Sequence, residues 1–265
     1  LGVLAGVDDR DPATAGAEAR AHRDYTRFLD RDGLRGRRLG VVRQAFGSHA
    51  ALNRAIEREL QVLRDLGAEL VDPVRVPSWD RIWGHEEQVL LHEFKDGVAR
   101  YLATRGDSVK VRNLADLIRF NEAHRDQEMP FFGQERFLQA EACGPLSSDA
   151  YRSAREACRR LSRDEGIDAV LAEHRLDALV APTEGAPAWL IDTVNGDSYG
   201  AGGCSSLPAV AGYPHLTVPA GYVRALPVGL SFFGRAWSEP DLLAMGYAYE
   251  QATNHRREPR FLARD

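Results

Sequence analysis

Lysine, cysteine and long apolar runs are scarce in this sequence, and each absence excludes a class of protein or site. Lysine occurs only at Lys95 and Lys110, although lysine and arginine together number 34. The cysteines Cys143, Cys158 and Cys204 include no C-x-x-C pair, which argues against a disulfide framework and against a zinc site. No apolar run approaches the roughly 20 residues that span a bilayer, so no membrane partner is expected.

The overall charge and composition are those of an ordinary globular protein. The formal net charge is −5, and 44% of the residues are hydrophobic. Neither value gives an electrostatic reason to expect nucleic acid or an anionic membrane as a partner. A small-molecule or peptide ligand is therefore the default expectation. The chain opens on an apolar segment at Leu1 rather than on Met, which predicts that the sequence begins inside a larger protein. No signal peptide is visible in the given residues, so a cytoplasmic location is expected, with an export signal before Leu1 left open.

The segment from Leu39 to Val71 has the pattern of a strand, a helix and a second strand. L-G-V-V begins at Leu39, and A-E-L-V runs from Ala68 to Val71. Apolar residues three or four positions apart lie between them, on one stripe of a helix that Gly67 ends: Leu52, Ile56, Leu60, Leu63 and Leu66. Such a crossover predicts the α/β class, with a mixed sheet covered by helices.

The rest of the chain divides into a helical region and a strand-rich region. Residues 78–174 are predicted to be mostly helical and to form a cap, with glycine and proline breaks and a last helix from about Ser148 to His174. Residues 177–265 are predicted to supply sheet strands and a closing helix. No internal repeat is present, and residues 1–265 are interpreted as one portion of a single domain.

Within the strand-rich region, two strands and a helix have clear boundaries. His215–Pro219 and Val228–Phe233 are predicted strands, joined by a short connection that contains Gly221. Ser238 is the predicted cap of the last helix, with Pro240 in its first turn.

One Gly/Ser-rich segment could carry nucleophilic chemistry. Y-G-A-G-G-C-S-S-L-P runs from Tyr199 to Pro208 and offers the hydroxyls of Ser205 and Ser206. A serine hydrolase also needs a base within reach, for which His215 is the candidate histidine. No G-x-S-x-G elbow is present. We interpret the segment as a pocket-lining loop and keep serine catalysis within the chain as an alternative.

The two lysines do not complete a catalytic set. A lysine base must be desolvated before its pKa falls toward neutrality. Lys95 and Lys110 both lie among charged residues, in F-K-D-G and S-V-K-V-R, which indicates solvated side chains. No full Ser/Lys or Ser/His combination can therefore be assembled from this sequence.

A second candidate segment combines aromatic residues with carboxylates. Asp192 and Asp197 flank the turn signal Asn195-Gly196, and Trp189 and Tyr199 lie close to it in the sequence. Aromatic rings beside fixed carboxylates could form a binding wall for an amide or amine. The alternative is a simple Asn-Gly turn whose aspartates act as local caps.

Several segments together resemble the C-terminal half of the amidase signature family, especially its peptide amidase-like bacterial members. The residues that carry the resemblance are D-A-L-V-A-P-T-E-G-A-P-A-W-L-I-D-T-V-N-G-D from Asp177 to Asp197 and S-S-L-P-A-V-A-G-Y-P-H-L-T-V-P-A-G from Ser205 to Gly221. D-D-R-D-P-A-T at Asp8 and L-R-G-R-R-L-G-V-V at Leu34 resemble earlier parts of the same half.

The resemblance implies an incomplete amidase signature fold and a metal-independent hydrolase of linear amides or peptide C-terminal amides, without cofactors. The Ser, cis-Ser and Lys of that family lie in its N-terminal half, so no catalytic residue is carried over and the chain alone is expected to be inactive. What transfers is a substrate-facing wall, whose predicted binding residues are Thr183, Trp189, Asp192, Asn195, Tyr199, Gly203, Cys204 and Ser205.

Two other functions remain open beside this one. The chain could be a non-catalytic, amidase-derived module that binds a ligand or a partner protein. It could also be the amidase-type component of a tRNA-dependent amidotransferase, but that component usually has N-L-A-G-L-P where Ala209 begins A-V-A-G-Y-P. The expected partner is a small-molecule or peptide amide, with a homodimer left open as the assembly.

Overall fold

A five-stranded mixed sheet lies at the centre of the computed structural model, which describes residues 1–186 and 202–259. The strand order is β2-β1-β3-β5-β4. β1 pairs in parallel with β2 and β3, and β5 pairs antiparallel with β3 and β4. The predicted mixed α/β sheet is thereby confirmed. The strands are β1 Arg38–Val42, β2 Glu69–Val74, β3 Ala178–Pro182, β4 His215–Val223 and β5 Leu226–Phe233.

The predicted strand, helix, strand unit is confirmed as β1, helix α1 (Ala50–Asp65) and β2. The imidazole Nδ1 of His49 accepts a hydrogen bond of 3.1 Å from the Leu52 amide and caps the helix. Leu52, Ile56, Leu60 and Leu63 are all buried against the sheet. Gly67 follows the helix with φ +91°, a conformation that costs glycine little.

Helices account for most of the chain between β2 and β3. Short 3₁₀ turns lie at Pro12–Thr14, Thr26–Phe28, Arg43–Ala45 and Trp79–Arg81. In the described residues no helix has both the length and the apolar character needed to cross a membrane. The helices after α1 are α2 Trp83–Ala103, α3 Leu114–Ala123, α4 Arg125–Glu128, α5 Glu135–Glu141, α6 Asp149–Arg159, α7 Asp168–Glu173, α8 Ser206–Ala211 and α9 Glu239–Thr253.

The helix predicted from about Ser148 to His174 has the expected bounds but is not one regular α-helix. A π-helical segment, Arg160–Ile167, separates α6 from α7, and Gly166 within it has the non-helical angles φ −114° and ψ −111°. A Cβ atom on Gly166 would lie 2.5 Å from the Leu161 carbonyl oxygen, so only glycine fits this close approach. Sequence periodicity cannot detect such an insertion because the apolar spacing on either side stays helical.

The sheet separates two apolar layers. Alternate residues of β3 point to opposite faces, so Ala178 and Val180 join α1 and α9 in one layer, and Leu179 and Ala181 join α6, α7 and α8 in the other. Every residue of β3 is buried. A strand buried on both faces has a continuous apolar sequence, which is what A-L-V-A-P from Ala178 to Pro182 shows.

Two boundaries in the strand-rich region differ from the sequence prediction. β4 extends to Val223, so Gly221 lies inside it, at φ +96°, where the β4–β5 register shifts between Pro219 and Tyr222. The predicted connection through Gly221 is therefore a bulge within an edge strand. Ser238 occupies the N-cap position of α9, but its hydroxyl donates to the Arg235 carbonyl at 2.8 Å instead of accepting from the helix.

Candidate functional site

The carboxyl end of β3 meets the glycine loop that precedes α8. The Gly203 amide donates to the Ala45 carbonyl at 2.7 Å, and the Cys204 amide donates to the Thr183 carbonyl at 3.2 Å. Gly202 and Gly203 have φ values of +112° and +99°, which side chains rarely allow. The sequence places glycine where the loop must approach β3 this closely.

Three hydroxyls form a hydrogen-bonded row beyond Ala181, one just after the end of β3 and the others on β4 and β5. The Ser231 Oγ lies 2.8 Å from the Thr183 Oγ1 and 3.2 Å from the Thr217 Oγ1. Ser231 is fully buried, Thr183 is half-buried and Thr217 is exposed. We call these three residues the hydroxyl row. The buried Ser231 lies between the two more exposed threonines, and each hydroxyl can both donate and accept.

Cys204 and His215 lie together beside the buried hydroxyl of Ser231. The Cys204 Sγ is 3.7 Å from the His215 Nε2. Burial raises the pKa of the Cys204 thiol to about 12, and the hydrogen bond with Ser231 opposes this only in part. Burial also lowers the pKa of the His215 imidazole. Both groups are therefore neutral near pH 7, which suits hydrogen bonding and does not suit thiolate chemistry.

Glu184 directly follows Thr183 in the sequence and is the acidic residue of the same site. Residue Glu184 is exposed as a whole, but nearby atoms desolvate its carboxylate enough to raise its pKa. It forms an isolated antiparallel bridge with Gly203. A carboxyl group here can accept a hydrogen bond from a ligand N–H.

The structure brings some of the predicted binding residues together and leaves others apart. Thr183, Gly203 and Cys204 meet as described above. Ser205 is the exposed N-cap residue of α8 and makes no side-chain capping bond. The remaining predicted residues, Trp189, Asp192, Asn195 and Tyr199, lie outside the described residues.

Sequence reasoning missed Thr217 and Ser231. Both follow the period of two: H-L-T-V places Thr217 on the face of His215, and G-L-S-F places Ser231 between Leu230 and Phe232. A polar residue alternating with apolar neighbours on two adjacent strands was the available signal.

The serines proposed as alternative nucleophiles are not activated in the described part of the chain. The His215 Nε2 contacts the Cys204 thiol, and no hydrogen bond there links it to Ser205 or Ser206.

The two lysines are likewise bonded to backbone groups. The Lys95 Nζ donates to the carbonyls of Glu141 and Cys143 at 2.6 and 3.0 Å. The other lysine, at position 110, donates to the carbonyl of residue 107. Among the described residues no group of three or more histidine, cysteine or acidic side chains could hold a metal ion.

The buried thiol of Cys204 is expected to react far more slowly than that of Cys143, which is only partly buried. With a pKa of about 12, Cys204 is thiolate in only about one molecule in 10⁴ at pH 8. Titration with Ellman's reagent at pH 8 should show one fast-reacting thiol, and this fast phase should be absent from Cys143→Ser. The other thiols should react only after guanidinium chloride unfolds the protein. A fast phase that persists in Cys143→Ser and disappears in Cys204→Ser would contradict this assignment.

Comparison with known proteins places this arrangement in a family. The family model described as Amidase matches residues 1–243. A probable amidase of Arabidopsis thaliana is 36% identical over 99% of this chain and 47% of its own length. A component of the glutamyl-tRNA(Gln) amidotransferase of Halorhodospira halophila is 31% identical over 98% of this chain and 53% of its own length.

Solved structures of peptide amidases are also similar to this chain. A crystal structure of a peptide amidase with the competitive inhibitor chymostatin superimposes with a TM-score of 0.91 at 49% identity. The match covers 98% of this chain and 52% of that one. The chain thus spans about half the length of the relatives it matches. Its fold and the extent of these matches together establish that the chain belongs to the amidase signature family.

Proposed function

We propose that this chain forms the substrate-facing wall of a metal-independent amidase that hydrolyses a linear amide such as a peptide C-terminal amide. The observation that carries the proposal is the 49% identity to a peptide amidase over 98% of this chain, together with a TM-score of 0.91. The Ser, cis-Ser and Lys of such an enzyme would be supplied by residues outside this chain. The hydrogen-bonding of both lysines to backbone carbonyls supports that division.

The hydroxyl row provides the chemistry that a carboxamide requires. A primary amide presents one carbonyl acceptor and two N–H donors, and hydroxyls can satisfy either kind. The Ser231 Oγ lies 2.8 Å from the Thr183 Oγ1, so the Thr183 hydroxyl is oriented before a ligand binds. We extend the same wall to Trp189, Asp192, Asn195 and Tyr199, and we assign residues 78–174 as a helical cap over it.

The identities favour an amidase over an amidotransferase component. The amidotransferase relative is 31% identical, against 36% for the plant probable amidase and 49% for the peptide amidase. A-V-A-G-Y-P from Ala209 also departs from the usual amidotransferase pattern. A non-catalytic module remains the competing hypothesis, which the following experiment separates from the enzyme.

The test compares hydrolysis of a blocked dipeptide amide by two proteins, with ammonia release as the measurement. The natural gene product that contains this sequence is expected to hydrolyse the amide, whereas the 265-residue chain alone gives no rate above background. The double variant Ser205→Ala/Ser206→Ala in the gene product should keep kcat within about threefold, because its effect is confined to the wall.

Two outcomes would contradict the proposal. Turnover by the 265-residue chain that the double variant abolishes would assign catalysis to Ser205 or Ser206. A folded gene product that binds the blocked amide without hydrolysing it would favour the non-catalytic module.

A further inference from the structure

A cleft lies on the helical side of the molecule, apart from the hydroxyl row. Helices α2, α6 and α8 enclose a cleft of ≈ 820 Å³, within the volume range of small-molecule sites. We call it the α2–α6 cleft. Its apolar surface includes Val89 and Leu90 on α2 and Ala209 and Val210 on α8.

Arginines form one wall of the α2–α6 cleft. Arg152, Arg155 and Arg159 are spaced by three and four residues, so they share one face of α6, and all of them line the cleft. Arg152 pairs with Asp149 at 2.5 Å. Arg155 and Arg159 form no ion pair within residues 1–186 and 202–259. The two residues are four positions apart, so their backbone positions differ by about one helical turn, about 6 Å, along α6.

The acidic residues of the cleft compete only weakly with an anionic ligand. Glu93 already accepts a hydrogen bond of 2.6 Å from the Tyr151 hydroxyl. Burial raises the pKa of the Glu86 carboxyl, whose Oε2 is buried without a partner among the described residues. Glu156 is exposed at the rim. Four arginines and three acids line the cleft, and Asp149 outside the lining pairs with Arg152, so Arg155 and Arg159 are the arginines left to meet an anionic ligand.

The remaining arginine of the cleft is held in place by the protein. The Arg163 Nε donates to the Ala211 carbonyl at 2.7 Å, and its guanidinium lies over the Tyr213 ring. This contact fixes the end of α8 against the π-helical segment that follows α6. The wall that carries Ala209 and Val210 is therefore already in position before a ligand enters.

We propose that the α2–α6 cleft binds a small carboxylate with an apolar body, such as an N-acyl amino acid or the acid end of a short peptide. The carboxylate would lie between Arg155 and Arg159, because guanidinium groups bind carboxylates through paired N–H donors. The apolar body would lie between Val89 and Val210. This site is separate from the amide-hydrolysis site proposed above and does not depend on it.

The test measures binding of N-acetyl-leucine by isothermal titration calorimetry to the natural gene product that contains this chain. N-acetyl-leucinol, which lacks the carboxylate and any terminal amide to hydrolyse, should bind at least tenfold more weakly. The double variant Arg155→Gln/Arg159→Gln should lose at least tenfold in affinity for the acid. Both arginines are exposed, so the variant is expected to fold, and circular dichroism checks this.

Two further variants localise the site. Arg160→Gln removes the same charge from the neighbouring position, but Arg160 pairs with Glu165 and does not line the cleft, so affinity should change less than twofold. Ala209→Trp fills the cleft without changing its charge and should also weaken binding at least tenfold. A blocked tripeptide acid ending in leucine shows whether the cleft prefers a peptide end to a single residue.

The proposal is overturned if N-acetyl-leucine shows no saturable binding up to about 10 mM. It is also overturned if the acid and the alcohol bind equally, or if Arg155→Gln/Arg159→Gln binds as the unmodified protein does. Equal losses in Arg160→Gln and in the double variant would show attraction to the general charge of α6 and would equally refute a site in the cleft.

Discussion

Replacing Phe232 by alanine is expected to lower the free energy of unfolding by about 3–5 kcal/mol, the usual cost of removing a fully buried phenylalanine side chain. Phe232 is completely buried on β5 and lies in register between Val180 of β3 and Leu216 of β4. Its ring centroid is 6.2 Å from that of Tyr249 on α9. The truncation therefore opens a cavity where three strands and a helix meet.

Urea unfolding followed by circular dichroism measures this loss, and the chain offers a matched control. Phe132→Ala removes the same atoms from a side chain that is 76% exposed, so the free energy should change by less than about 0.5 kcal/mol. A loss below about 1 kcal/mol for Phe232→Ala would contradict the packing of α9 on this face of the sheet.

Replacing Gly202 by alanine is expected to lower the free energy of unfolding by about 2–4 kcal/mol, from steric overlap and backbone strain together. A Cβ atom at this position would lie 2.6 Å from the Gly47 amide nitrogen and 2.8 Å from the Ala45 carbonyl oxygen. The φ of +112° adds strain for any side chain. Since Gly203 also bonds to Ala45, the substitution should displace the loop that positions Cys204.

Two measurements check the Gly202 prediction. Urea unfolding reports the stability loss, and faster reaction of Cys204 with Ellman's reagent reports the displaced loop. Gly97→Ala is the control, because a Cβ atom there meets nothing within 4 Å. Alanine in place of glycine in a helix interior should raise the free energy of unfolding by up to about 1 kcal/mol. Unchanged stability and thiol reactivity in Gly202→Ala would contradict the close approach to Ala45.

Local pattern was sufficient to predict the β1-α1-β2 unit but not the interruptions of longer elements. The apolar residues of α1 from Leu52 to Leu63 recur at the helical spacing of three or four residues, and the same residues are buried. The π-helical segment around Gly166 and the bulge at Gly221 depend on contacts with distant residues. The glycines were visible in the sequence, but the packing that requires them was not.

The candidate site shows the same limit. Thr183, Gly203 and Cys204 were predicted to face one pocket, and the structure brings them together. Thr217 and Ser231 were missed because their proximity depends on the antiparallel register of β4 with β5, where Thr217 lies opposite Ser231. The register depends on how the two strands pair, so the sequence of either strand alone does not determine it.

The position of β3 between β1 and β5 has a consequence for how fast the chain folds. β3 pairs in parallel with β1, although residues 43–177 separate the two strands in the sequence. Closing a loop of about 100 residues or more costs on the order of 4 kcal/mol of conformational entropy, and this cost arises before the contacts between β1 and β3 can offset it. Folding is therefore expected to be slow for a chain of this length, and stopped-flow refolding would measure that rate.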